Sequence, residues 1–164
     1  MKKLFLAFSL MLALVLVGCS SGSSEPKVKD IPVDDIKAVV NTEALLPAQP
    51  TAELPASEYY ALESVKDKFS EGFVLKAMLS TNYQDVFVVK ANTEEDVEAI
   101  KAVFEDYKTN DTNVKMFANG YGNADNIDIA ANTIIGSQGN YVYFIAAKDS
   151  AAVETAILDT ILEK

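Results

Sequence analysis

Three kinds of side chain in this sequence could do chemistry: 24 carboxylates, seven tyrosines and a single thiol, Cys19. All 14 basic residues are lysine, and histidine, arginine and tryptophan do not occur. Without histidine there is no Ser-His-Asp or Cys-His relay and no imidazole ligand for zinc. The loop Asn119-Gly120-Tyr121-Gly122-Asn123-Ala124-Asp125-Asn126-Ile127-Asp128 gathers oxygens, and those of Asn123, Asp125 and Asp128 could meet a calcium ion, which takes about six to eight oxygen ligands in tolerant geometry. The loop lacks the spaced acids, central glycine and closing glutamate of an EF-hand, and a Gly and Asn turn needing positive φ explains it more simply. Glycoside cleavage needs two acids ~5 to 9.5 Å apart, and spacing along the chain selects no pair among so many. Glu94-Glu95-Asp96-Glu98 and Glu105-Asp106 fall at the start and on the outer side of one expected helix, where dipole compensation and solvation account for them. Tyr59, Tyr60, Tyr141 and Tyr143 could line a groove, although alternation along a strand makes half of them ordinary core residues. Ser24-Glu25-Pro26-Lys27 has S-x-x-K spelling without the strand and helix that give it meaning. Asn110-Asp111-Thr112 is a sequon that matters only in a glycosylating cell. No catalytic, cofactor-binding or metal-binding residue is assigned, and no cofactor is expected.

The thiol stands in the most informative context. Lys2 and Lys3 precede an apolar stretch from Leu4 to Val17, interrupted only by Ser9, and Gly18-Cys19 follows at once. As a helix that stretch would rise ~21 Å, short of the ~30 Å hydrocarbon core, so it reads as a removable export signal and not a permanent span. The run Leu16-Val17-Gly18-Cys19 resembles the lipobox of bacterial lipoproteins. The resemblance implies that the Cys19 thiol receives diacylglycerol and that residues 1–18 are cut away. Two acyl chains, at ~0.8 kcal/mol per buried methylene, would hold the protein stably on a membrane. The exported body then contains no other cysteine and rests on its core alone.

Residues 19–29 read as a flexible lipidated tether, since Ser20-Ser21-Gly22-Ser23-Ser24-Glu25-Pro26-Lys27 offers nothing apolar to bury. Residues 30–164 are expected to form one domain. Cleavage would leave 12 lysines against 24 acids, a charge of −12 in place of the full chain's −10. Such a body repels nucleic acid and anionic lipid, and the acidity suits solubility. Lysine as the sole basic residue hints at an AT-rich genome and a Gram-positive host.

The elements that must position any site follow from periodicity. Val33, Ile36 and Val40 share one face of a short helix with acids in its first turn. Pro47, Pro50 and Pro55 make residues 45–56 a connector. A helix capped by Ser57 and ending near Gly72 would bury Tyr59, Leu62, Val65 and Phe69. Strands are expected over Phe73 to Ser80 and Asp85 to Ala91, the latter central because Val86-Phe87-Val88-Val89 is an unbroken β-branched and aromatic run. Thr93 and Asp96 resemble a capping box for a helix to about Tyr107 with Val97, Ile100, Val103, Phe104 and Tyr107 inward. After a polar loop, Ile127 to Ile135 and Tyr141 to Ala147 read as a hairpin around residues 136–140, and a last helix from about Ala151 to Leu162 buries Val153, Ile157 and Ile161. An offset of 56 residues pairs Val86 with Val142, Ala91 with Ala147 and Val97 with Val153. The expected fold class is α+β: two ββα units forming a four-stranded, mainly antiparallel sheet with helices packed on one face, plus N-terminal helices.

The segment from Asp30 to Lys164 resembles the domain-of-unknown-function family numbered 4358, found in small bacterial lipoproteins. The resemblance rests on Asp30-Ile31-Pro32-Val33-Asp34-Asp35-Ile36, on Asp85 to Phe104 with its Glu94-Glu95-Asp96-Val97-Glu98-Ala99-Ile100 helix start, and on Gln138-Gly139-Asn140-Tyr141-Val142-Tyr143-Phe144-Ile145. It implies a fold and a location and brings no activity. The expected role is a non-enzymatic binding or interaction module, anchored to the membrane through the lipid on Cys19 at the outer face of the cytoplasmic membrane. Its partner would be an unidentified protein or small molecule. The alternatives are a small carboxylate-dependent cell-wall hydrolase and an accessory subunit of a membrane complex.

Overall fold

The computed structural model describes residues 27–163. The expected signal, the expected lipidation site Cys19 and most of the expected tether lie outside the described residues. Five strands form one antiparallel sheet: β1 (Thr51–Pro55), β2 (Phe69–Ala77), β3 (Asp85–Ala91), β4 (Ile134–Gln138) and β5 (Tyr141–Ala146), in the order β1-β2-β3-β5-β4. Five helices accompany them: α1 (Val33–Val40), α2 (Glu94–Asn110), α3 (Thr112–Ala118), α4 (Asp125–Ala131) and α5 (Ser150–Ile161). The α+β class stands; the four-strand count does not.

The fifth strand is β1, within the proline-rich segment read as a connector. It pairs with β2 from Thr51↔Ala77 to Pro55↔Phe73, at the rim of the sheet, where a proline can close a strand without breaking an interior ladder. The helix expected after Ser57 is two 3-10 helices, Ala56–Glu58 and Tyr60–Val65, and Ser57 does not cap them. Tyr59, Leu62 and Val65 are buried as expected, but their spacing of three residues is the 3-10 period, and β2 already begins at Phe69. In the second half, the strand expected from Ile127 is instead α4, which buries Asn126 and Ala130 one turn apart and leaves Ile127 outside. The expected five-residue connection shrinks to Gly139-Asn140, closed by Gln138↔Tyr141, with Gly139 at φ +57° as such a tight turn requires.

Helices cover both faces of the sheet, not one. On one face Val74, Phe87, Val89, Val142 and Phe144 pack with Val97, Ile100, Phe104 and Tyr107 of α2 and with Tyr59 and Leu62. On the other, Phe73, Leu75, Val86, Val88, Tyr143 and Ile145 pack with Val33, Ile36 and Val40 of α1 and with Val153, Ile157 and Ile161 of α5. The hairpin-and-helix order recurs, as β2-β3-α2 and β4-β5-α5, yet α2 and α5 return to opposite faces. The offset of 56 residues therefore matches positions that point to opposite sides: Val86 and Val142, or Val97 and Val153. The cause is legible in β3 and β5, which are apolar at nearly every position, so that two-residue alternation presents apolar side chains both ways and both must be covered.

Thr93 accepts from the Asp96 amide at 3.2 Å, and the Asp96 carboxylate accepts from the Thr93 hydroxyl at 2.8 Å, fixing the start of α2. No described helix is long and apolar enough to cross a membrane.

Val88 is fully buried in β3, at the centre of the sheet. Val88→Asp should cost more than ~3 kcal/mol, because an isolated carboxylate in that layer has no partner. Urea denaturation checks it: a variant of wild-type stability would contradict the central position of β3.

Candidate functional site

The residues singled out by type and spacing do not converge. Asn123 uses its amide nitrogen to donate to the Thr81 carbonyl at 3.1 Å and to Asn82 Oδ1 at 3.3 Å, while Asp125 and Asp128 are exposed on α4. The organising side chain of that loop is its neighbour Asn126, 1% exposed, whose Oδ1 accepts from the Tyr83 amide at 2.9 Å. Its Nδ2 donates to the carbonyls of Thr81 at 2.9 Å and Tyr121 at 2.7 Å. The loop thus brackets the β2–β3 turn, and Gly120 and Gly122 take the positive φ expected of a Gly and Asn turn. Among the described residues no group of three or more His, Cys, Asp or Glu could hold a metal ion. Glu94, Glu95 and Asp96 lie in the first turn of α2, and Glu105 and Asp106 on its exposed side.

The four tyrosines separate between the two faces. Tyr141 belongs to the α1 and α5 side, where its hydroxyl donates to the Ile31 carbonyl at 2.6 Å and accepts from the Ile31 amide at 2.8 Å. Tyr143, on the same side, donates to Glu154 Oε1 at 2.8 Å. Tyr59 and Tyr60 sit on the α2 side, beside a feature that spacing did not reveal.

That feature is a polar cluster set into an aromatic layer. The β2–β3 register places Lys76 directly opposite Asp85, α2 supplies Tyr107, and the turn between the 3-10 helices supplies Tyr59. Lys76 Nζ lies 2.8 Å from Asp85 Oδ2, 2.9 Å from the Tyr59 oxygen and 3.1 Å from that of Tyr107. Tyr107 donates to Asp85 Oδ2 at 2.8 Å, which leaves Tyr59 to donate to Tyr107 across 3.2 Å. The ammonium also stands 5.2 Å from the Tyr59 ring centre and 5.9 Å from that of Phe87, within cation–π range. Phe87 in turn stacks on Phe144 at 5.0 Å. Burial first, and then the Asp85 charge, raises the Tyr59 hydroxyl from 10.0 to about 12 and drives Tyr107 far higher. Both phenols stay neutral donors at physiological pH, so the cluster holds one ion pair in a closed set of hydrogen bonds.

The chain belongs to the DUF4358 family. This domain of unknown function matches residues 55–147, so the match contains the whole polar cluster. Of the stretches that carried the resemblance, Asp85 to Phe104 and Gln138 to Ile145 lie inside the matched span and Asp30 to Ile36 lies before it. Helices α1 and α5, the cover of the other face, fall outside it. No curated protein and no solved structure matches the chain.

Outside the cluster, between Tyr60–Val65 and α2, lies a cavity of about 490 Å³ lined by Tyr60, Ser64, Val103, Asp106, Tyr107 and Asp111 among others. Tyr60 is 58% exposed, and its ring lies 4.7 Å from that of Tyr59. Its hydroxyl donates to Asp111 Oδ2 at 2.6 Å, while Asp111 Oδ1 caps α3 through the amides of Asn113 and Val114. The DUF4358 span therefore contains a groove with an aromatic wall and with hydroxyls and carboxylates on its rim, backed by the ion pair. The signal in the sequence was a lysine near the end of β2 and an aspartate opening β3, not distinguished by type from Glu71 and Lys90 in the same strands, and only the strand register joins them.

Asp85→Asn would strand the Lys76 ammonium. Because the Lys76 side chain keeps 26% exposure, the expected loss is about 2–3 kcal/mol, below the ~3–5 of a fully buried pair. Lys76→Met combined with Asp85→Leu should recover most of it, and urea melts of the three variants measure the difference. The raised phenols set a second expectation. In the folded state they keep their protons above the unfolded value of ~10, so stability is complete below pH ~10 and falls as pH rises through about 12. Tyrosine absorbance and circular dichroism followed together should show these phenols ionising as the fold is lost; ionisation with the fold intact would contradict the closed network.

Proposed function

We propose that this DUF4358 protein is exported, lipid-anchored through Cys19, and works as a non-enzymatic binding or interaction module at the outer face of the cytoplasmic membrane. The observation that carries the reading is the register of Lys2-Lys3, the apolar Leu4 to Val17 and Leu16-Val17-Gly18-Cys19. A basic start, a core too short to span and a cysteine behind a small residue together match a signal that is cut and replaced by lipid. Two acyl chains then give stable attachment where one gives reversible binding. The acidic body, repelled by anionic headgroups, is held near them only by its tether.

The geometry of the described domain is compatible with such display. Val28 bridges to Leu162 and lies against Gly139, at the end of the sheet where Lys90 pairs with Tyr141. Lys76, Asp85 and the Tyr60 groove lie towards the opposite end of β3, with Asp85 ~17 Å from Lys90 at ~3.4 Å per strand residue. A domain tethered beyond Val28 would have its groove at the end far from the point of attachment, within reach of soluble or wall-borne partners. The groove's rim of hydroxyls and carboxylates around one exposed ring suits reversible recognition, and the buried pair behind it supplies rigidity.

Intact-mass measurement of the protein from its own cells tests the reading. The expected species begins at Cys19 and carries a diacylglycerol thioether, and Cys19→Ala should lose the lipid and leave the membrane fraction. An unmodified thiol, or retention of Met1 through Gly18, would overturn it.

A further inference from the structure

The two edges of the sheet differ in how they are protected. β1 exposes Glu53, Leu54 and Pro55; self-pairing about its middle would set Glu53 against Glu53, and Pro55 has no amide to donate. Strand β4, Ile134-Ile135-Gly136-Ser137-Gln138, carries neither charge nor proline in a chain of net charge −10. Its backbone polarity is fixed by the two-residue turn. Gln138 and Tyr141 close that turn, so Ile134, Gly136 and Gln138 direct their amides and carbonyls to β5, and Ile135 and Ser137 direct theirs outward. Asn140, on the other parity of β5, agrees: its carbonyl accepts from Ala91 of β3 at 2.8 Å. No described residue is bonded to the outward amides of Ile135 and Ser137. The side chains flanking this edge are apolar and partly buried, Ile135 against the α2 layer and Ile134 against the α5 layer. Such an edge is a template for one more strand.

We propose that β4 pairs antiparallel with β4 of a second copy of this chain, joining two five-stranded sheets into one of ten strands. Antiparallel pairing of identical strands is two-fold symmetric, so one contact satisfies both copies. Centred on Gly136, it sets Ile135 of each copy against Ser137 of the other and makes four backbone hydrogen bonds from the four outward groups on each side. The same seam covers both copies' Ile134 and Ile135. Two acidic bodies repel over most of their surface, and β4 is a stretch of sheet edge where they can meet without opposing like charges. This inference goes beyond the anchoring proposal and does not depend on it.

Sedimentation equilibrium of the full chain in density-matched detergent tests the pairing. The wild type should sediment with the mass of two chains. Ser137→Pro removes an outward donor and leaves the β5 ladder whole, and Ser137→Glu places acids on both sides of the seam. Each should raise the dissociation constant of the dimer at least ten-fold, shifting it towards single chains, with circular dichroism unchanged, while Glu53→Ala on β1 stays dimeric. If the proline variant fails to fold, the glutamate variant carries the test. A single-chain mass for the wild type, or dimers that persist in the folded Ser137 variants, would overturn the proposal. So would a monomeric wild type whose Ile135 and Ser137 amides resist exchange, since another segment or another protein would then occupy the edge.

Discussion

The central pair of strands is apolar on both sides, and most of the architecture follows from the need to hide it. Val86, Val88, Tyr143 and Ile145 face one way, Phe87, Val89, Val142 and Phe144 the other. At ~25 cal/mol per Å² of apolar surface removed from water, neither layer can be left wet. A helix following each hairpin could cover one face twice or each face once. The second arrangement satisfies β3 and β5 together, and it is the one adopted, with α1 joining α5 and the 3-10 helices joining α2.

That double cover explains why the polar cluster lies where it does. Lys76 and Asp85 occupy a paired position near the β2–β3 turn, at the end of the apolar layer where the Lys76 side chain still reaches water. Asp85 reaches little of it, so the Tyr107 hydroxyl and the Lys76 ammonium stand in for solvent at the carboxylate. The same end of the domain carries the bracket of Asn126 on the β2–β3 turn and the groove under Tyr60. The other end is closed by the strap of residues 28–31, with Val28 on Leu162 and the Ile31 backbone on Tyr141. The described chain thus enters at one end of the strands, beside the pair of Lys90 with Asp30, and the Lys76–Asp85 cluster and the groove lie towards the other.

Several elements were legible without coordinates. Helix α1 and strand β3 fall where expected, as does the Thr93 cap, because each depends on local periodicity or on a side chain bonding its own neighbours. Strand β1 was hidden by prolines that an edge tolerates. Helix α4 was hidden by the period-two look of Ile127, Ile129 and Ala131, which loses to the bonds made by buried Asn126 to residues some forty positions away. The candidate site was legible least: the four tyrosines weighed both as groove lining and as ordinary core are divided by the sheet, and the acid that anchors the cluster, Asp85, was read only as the start of a strand.

What the sequence determined by itself is what acts over a few residues: the acidic charge, the strand of Val86-Phe87-Val88-Val89 and the stripes of α1, α2 and α5. Only the tertiary structure decided which face each helix covers, that a fifth strand closes the sheet, and that Lys76, Asp85, Tyr59 and Tyr107 meet. Those choices depend on strand register and on contacts between distant segments. A two-residue alternation says that both faces need cover; it does not say which segment supplies it.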